Sequence, residues 1–218
     1  MNATAGAVAL KRSRSNVRRA IFAAGVLVLL VAMALNTKVV KIGSELSVAP
    51  GTFSAEAYGP ANFPKVQAEI IKRAVDAPKL AAAIAKNRAA AEKQYGVPAT
   101  AGAEMCVKFT GVVGKGDSGN YNVRIDGMPK NVTVQVQTGP FISGMDLRDA
   151  TGTIAFAQFH NQMEYQNAGG ALIAELKKEV LSKVDTGTLS GKRISVVGSF
   201  QLTDPTTWLV TPAKLDVL

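Results

Sequence analysis

At 218 residues the chain has room for one domain with its own hydrophobic core plus a targeting segment, which argues against two full domains. Its formal net charge of +9 is unevenly placed: residues 1–43 carry Lys11, Arg12, Arg14, Arg18, Arg19, Lys38 and Lys41 and no acid, so the rest of the chain is close to neutral. A near-neutral domain lacks the phosphate attraction with which nucleic-acid binding begins, and a single cysteine, Cys106, excludes an intrachain disulfide.

Residues 1–19 form a basic segment, and residues 20–35 that follow are unbroken apolar sequence, uncharged as far as Thr37. Eighteen helical positions rise roughly 27 Å, close to the hydrocarbon thickness of about 30 Å. The basic flank on the N-terminal side puts the start of the chain in the cytoplasm and everything after Lys38 outside. Residues 20–37 are therefore expected to be a retained single-pass anchor in the inner membrane. The alternative is a signal peptide cleaved near Ala34, where Ala32-Met33-Ala34 has the small-x-small form, with release to the periplasm. Arg18-Arg19 fits a twin-arginine signal poorly. Residues 38–50 read as a tether, and residues 51–218 as the extracytoplasmic domain.

That domain opens with helical sequence over 51–98. Phe63-Pro64 suits a helix start, and Val66, Ile70, Ile71 and Val75 then fall on one face. A second helix is expected after Asp76, through the alanine-rich stretch to Tyr95, stopped by Gly96 and Pro98. The pattern changes to strands over 104–218. Val107, Phe109 and Val112 alternate into a turn at Gly116-Asp117-Ser118-Gly119; Tyr121, Val123 and Ile125 alternate out of it; and Val132, Val134 and Val136 give a third strand after Asp126-Gly127. Residues 172–184 return to helical spacing. Two more strands, 194–202 and 208–217, are joined by Thr203-Asp204-Pro205. Three strands, a helical connection and two closing strands predict an α+β chain whose β part is a five-stranded antiparallel barrel of the oligonucleotide/oligosaccharide-binding (OB) type with an inserted helix.

The residues that carry chemistry are few. His160 and Cys106 are the only His and Cys, so no zinc site is expected, and no cofactor is implied. Cys106, in an apolar strand, is expected to be a buried, inert thiol, and His160 a structural or solvent-facing histidine. No serine sits in a Gly-x-Ser-x-Gly elbow. Residues 111–116 miss the phosphate-loop spacing and lead into a strand, so they read as a hairpin. Asp146, Asp149 and Glu164 share one irregular region and would suit general acid and base work, or else surface charge and a partner for Arg148. Within residues 139–166, Gly139, Pro140 and Gly144 mark structural turns. Arg148, Asp149, Asn161, Gln162 and Glu164 offer the donors and acceptors that hold a polar small molecule or a partner; the plainer reading is an Arg148–Asp149 pair and an Asn161-Gln162 cap.

Several blocks together resemble a bacterial family of predicted periplasmic lipoproteins of unknown function. They are residues 37–43 (TKVVKIG), Gly139-Pro140 with Gly144 and Leu147-Arg148-Asp149, Phe156 with Phe159, residues 161–165 (NQMEY), and the ending Leu202-Thr203-Asp204-Pro205 with Val210-Thr211-Pro212. The likeness covers nearly everything from Thr37. It implies an envelope protein, encoded beside sugar-type ATP-dependent (ABC) importers, with an accessory role in carbohydrate uptake. The chain departs from the lipoprotein pattern in having no cysteine after the apolar run. The expected function is thus a non-enzymatic, membrane-tethered accessory or binding protein whose partners are importer components or a small carbohydrate. An envelope hydrolase using Asp149 and Glu164, or a purely structural envelope protein, is the alternative.

Overall fold

The computed structural model describes residues 16, 17, 19–29, 32, 33, 53–99 and 101–218. Residues 19–29, 32 and 33 are helical, and among the described residues no helix is long and apolar enough to cross a membrane. Positions 30, 31 and 34–37 of the expected anchor, the cleavage point near Ala34 and the tether 38–50 lie outside the described residues. Residues from Phe53 to Leu218 make one compact unit.

Helix α1 (Ala55–Arg73) begins eight residues earlier than Phe63-Pro64 suggested, because Ser54 caps it by accepting from the Ala57 amide. Pro60 and Pro64 both lie inside it, each removing one backbone donor. Phe63, Val66 and Ile70 form its buried stripe, whereas Ile71, expected on the same face, is 45% exposed. The stripe is set by the 3.6-residue period starting at Phe63, and Ile71 falls one position off it. A two-residue strand β1 (Val75–Asp76) follows. The expected second helix is broken in two, α2 (Ala77–Lys86) and α3 (Arg88–Tyr95), because Asn87 adopts an extended conformation and caps α3 through the Ala90 amide.

Strand β2 (Gly96–Val97) leads to β3 (Glu104–Asp117), β4 (Asn120–Ile125) and β5 (Thr133–Gln137). The short helix α4 (Asp146–Asp149) and the longer α5 (Gln162–Glu179) cross to β6 (Arg193–Gln201), and β7 (Thr207–Val217) ends the chain. Hydrogen-bonded pairings run β3–β4, β4–β5, β5–β7, β7–β6 and β6–β3, a closed cycle of five strands, with β1 and β2 added on β3. The strand count and the helix between the third and fourth strands of that cycle follow the periodicity. One expectation is corrected: the cycle is not wholly antiparallel, since β5 and β7 pair in parallel with Val134 opposite Trp208. A crossover of helices separates those two strands in sequence, and that is what parallel neighbours require.

Inside the cycle Met105, Val107 and Phe109 meet Val196 and Phe200, and Phe200 stacks on Trp208 at 4.8 Å with both rings fully buried. The opposite face of β3 and β6 carries Glu104, Cys106 and Ser199, all buried. Helices α1 and α4 lie against this face, and the Cys106 Sγ contacts the Ala150 carbonyl at 3.9 Å. Helix α1 also packs on α5 at close range, where a Cβ on Gly59 would stand 2.8 Å from the Ala171 carbonyl oxygen. The β3–β4 turn is tied to the loop after β5: Gly119, at φ 85°, accepts from both the amide and the hydroxyl of Thr138.

Candidate functional site

The irregular stretch after β5 is fixed to the sheet by buried side chains. Gln137, 1% exposed, accepts from the Ser143 amide at 2.8 Å and donates to Thr211 Oγ1 at 2.9 Å; Thr211 in turn donates to Asp146. Gly139 and Gly144 have φ of 93° and 85°, and Gly139-Pro140 is cis. Its end becomes α4, which presents Arg148 and Asp149.

Arg148 is only 6% exposed, and its charge is matched in place. Its Nε and one terminal nitrogen donate to the two Asp149 oxygens at 2.6 and 2.9 Å, and the other terminal nitrogen donates to the Tyr165 carbonyl at 3.1 Å. The guanidinium carbon lies 3.6 Å from the centroid of the Tyr165 ring, and the Tyr165 hydroxyl donates to Asp149 at 3.2 Å. Fork geometry, ring stacking and two anionic acceptors together make this burial tolerable. Rings continue outward from Tyr165 through Phe159 to Tyr58 and Phe53, at centroid spacings of 5.5 to 5.8 Å. Burial raises the Tyr58 and Tyr165 phenols above their ordinary range.

A cleft of about 460 Å³ opens over this group, lined by Arg148, Asp149, Tyr165 and Gln201 with Val97, Pro98 and Ile154. Under it lies Glu104. It is paired in the sheet with Val97 on β2 and Gln201 on β6, both cleft residues, so its side chain leaves the sheet on the face that the cleft covers. Glu104 is 2% exposed and its Oε2 has no hydrogen-bond partner. Burial, and then the negative charges of Asp146 and Asp149, push its carboxyl up to about 9. Burial likewise raises Asp146 to about 6, with Asp149 adding to the rise and the Thr211 hydrogen bond opposing it.

The remaining expected site residues are elsewhere. Asn161 caps α5 by accepting from the Glu164 amide at 2.9 Å. Glu164 accepts from the His160 amide at 3.0 Å, which lowers its carboxyl. Gln162, in the first turn of α5, is exposed. Asn161 thus caps α5 while Glu164 reaches back to the His160 amide, and Asp149 is held by Arg148 and Tyr165. The two carboxylates named for hydrolysis serve different partners. Tyr165, Gln201 and Glu104 were not identified as site residues from the sequence. The available signal was Glu104 itself, a lone acid among Ala103, Met105, Cys106 and Val107 at the start of a strand. Cys106 is buried as expected, and burial raises its thiol to about 11. Among the described residues no group of three His, Cys, Asp or Glu is placed to hold a metal ion.

A closed five-strand cycle with a helical connection between its third and fourth strands is the architecture of an OB-fold protein. A crystal structure of an OB-fold protein from Thermotoga maritima, solved at 1.90 Å, superposes with a TM-score of 0.62 at 16% identity, covering 76% of this chain and 99% of that one. At that identity the likeness speaks for the fold alone. No curated protein matches the chain. The profile of the DUF2291 family, described as predicted periplasmic lipoprotein, matches residues 25–216, and the chain belongs to that family.

Proposed function

We propose that the chain is a non-catalytic binding module held at the periplasmic face of the inner membrane by residues 20–37, and that it serves carbohydrate uptake through an ATP-dependent importer. The observation that carries this reading is the cleft over Arg148 and Asp149. Its volume of about 460 Å³ suits a small molecule. Its lining combines planar, forked polar groups and an amide with Val97, Pro98 and Ile154, a mixture that suits a hydroxylated ring with its polar rim and apolar C–H face. Export is supported by the one-sided basic flank and by the family's description. Attachment by peptide is supported by Cys106, which lies sealed in the sheet, where lipidation cannot reach it.

Calorimetry on the detergent-solubilised full chain, titrated with a panel of pentoses and hexoses and with the solute-binding protein of a co-encoded importer, tests the proposal. A saturable heat with at least one of them is expected, weakened by Gln201→Ala, which alters the cleft wall without touching the Arg148–Asp149 pair. Silence across both sets would overturn it, as would unchanged growth of a deletion strain on every single carbon source.

A further inference from the structure

Glu104, buried between the cleft residues Val97 and Gln201, is what a neutral sugar leaves unexplained. A carboxyl with an unpaired, buried oxygen destabilises the fold, and native structures retain such groups where something else completes them. Its surroundings specify what that is. Asp146 and Asp149 both press negative charge on it, and the positive charge nearest to it, Arg148, is already clasped by Asp149. Arg73, whose own Nε is buried without a partner, acts on the neighbouring Cys106 together with Glu69 and is not among the charges acting on Glu104. Above it, Gln201 and Asp149 add further acceptors at the cleft wall.

We infer that the ligand of this cleft is an organic cation, a hydroxylated small molecule bearing an ammonium group, and that Glu104 is the residue that receives the ammonium. This rests on reading the cleft as a small-molecule site. A hydroxyl would satisfy Oε2 but leave the excess of negative charge uncompensated; an ammonium does both. The proton balance is explicit. Glu104 enters the encounter as a neutral carboxylic acid at pH 7, since its carboxyl is held up to about 9. The arriving ammonium keeps its own protons, the carboxylic acid gives its proton to the buffer, and the resulting carboxylate pairs with the ammonium. Binding therefore releases up to one proton per ligand.

The test uses the full chain in detergent at about pH 6.5, where a sugar amine is charged and the Glu104 acid is still protonated. Glucosamine and glucose are titrated calorimetrically in phosphate and in ACES, whose different ionisation enthalpies expose proton release. Glucosamine is expected to bind more tightly than glucose and to release a proton. Glu104→Gln, which keeps shape and neutrality, is expected to weaken glucosamine by about thirtyfold and abolish the release. Glucose binding as tightly as glucosamine, glucosamine binding without proton release, or indifference to Glu104→Gln would overturn this inference and leave the carbohydrate reading standing. Absence of binding by any sugar, charged or neutral, would remove both.

Discussion

Replacing Glu104 with glutamine is expected to stabilise the protein, and to do so increasingly as pH rises. The carboxyl has an ordinary value of 4.5 in the unfolded chain and about 9 in the fold. Because the folded value is the higher one, the native state keeps a proton that the unfolded chain has already lost. The stability owed to this group is complete below about 4.5 and is lost as pH rises through about 9. Each pH unit in that window is worth about 1.4 kcal/mol, so at pH 7 wild type is penalised by about 3 kcal/mol. Glutamine cannot ionise, and its buried amide leaves a polar atom unpaired much as Oε2 is, so that part of the cost cancels. Thermal melts of both chains should coincide near pH 4.5 and separate by roughly 6–12 °C at pH 7, the variant being higher. Asp146, raised from 3.8 to about 6, adds a slope of the same sign in both proteins. A gap between the two melting curves that stays constant from pH 5 to pH 8 would refute the reasoning. Should the gap appear, wild type keeps a buried carboxyl at a cost in stability.

Arg148→Ala strands the partly buried Asp149 carboxylate and should cost about 3–5 kcal/mol in urea denaturation, with Arg148→Lys recovering only part because an ammonium cannot fork; a loss under about 1 kcal/mol would show the pair to be peripheral. Gly119→Ala would set a Cβ 1.2 Å from the Gly139 carbonyl oxygen at a φ of 85°, and is expected to lower stability by more than about 3 kcal/mol. By contrast Gly170→Ala, in α5 with nothing within 4 Å, should be neutral or stabilising by about 0.5–1 kcal/mol, and the two melts measured side by side check the packing of the β3–β4 turn. Cys106 should resist thiol reagents in the native state at pH 8 and titrate fully in denaturant; rapid native labelling would contradict its placement under Ala150.

Helix and strand identities were legible wherever a single period of hydrophobic residues ran without interruption. Val107 and Phe109 in β3, Val134 and Val136 in β5, and Leu172 and Leu176 in α5 all alternate or repeat in the chain as they do in the core. Element starts were less legible because they depend on single capping contacts. Ser54 moved the start of α1 well ahead of the Phe63-Pro64 that suggested a later one, and Asn87 split what periodicity joined. Of the expected site, the Arg148–Asp149 pair is adjacent in sequence and was visible for that reason. Asn161 and Glu164 are also local, three residues apart, and they serve the cap that such spacing makes possible.

By itself, the sequence determined the uneven charge, the apolar segment, the order of the strands and the chemical types available in the loop after β5. Those properties are local, carried by neighbouring residues and by short periods. Tertiary structure alone decided that β5 and β7 run parallel, that Gln137 and Asp146 share Thr211, and that Glu104 lies beneath Val97 and Gln201 beside the charges of Asp146 and Asp149. Each of these joins residues far apart in the chain. A carboxyl's burial and its charged neighbours are fixed only when the strands that surround it have closed, so the property that most distinguishes this cleft is one that no stretch of sequence contains.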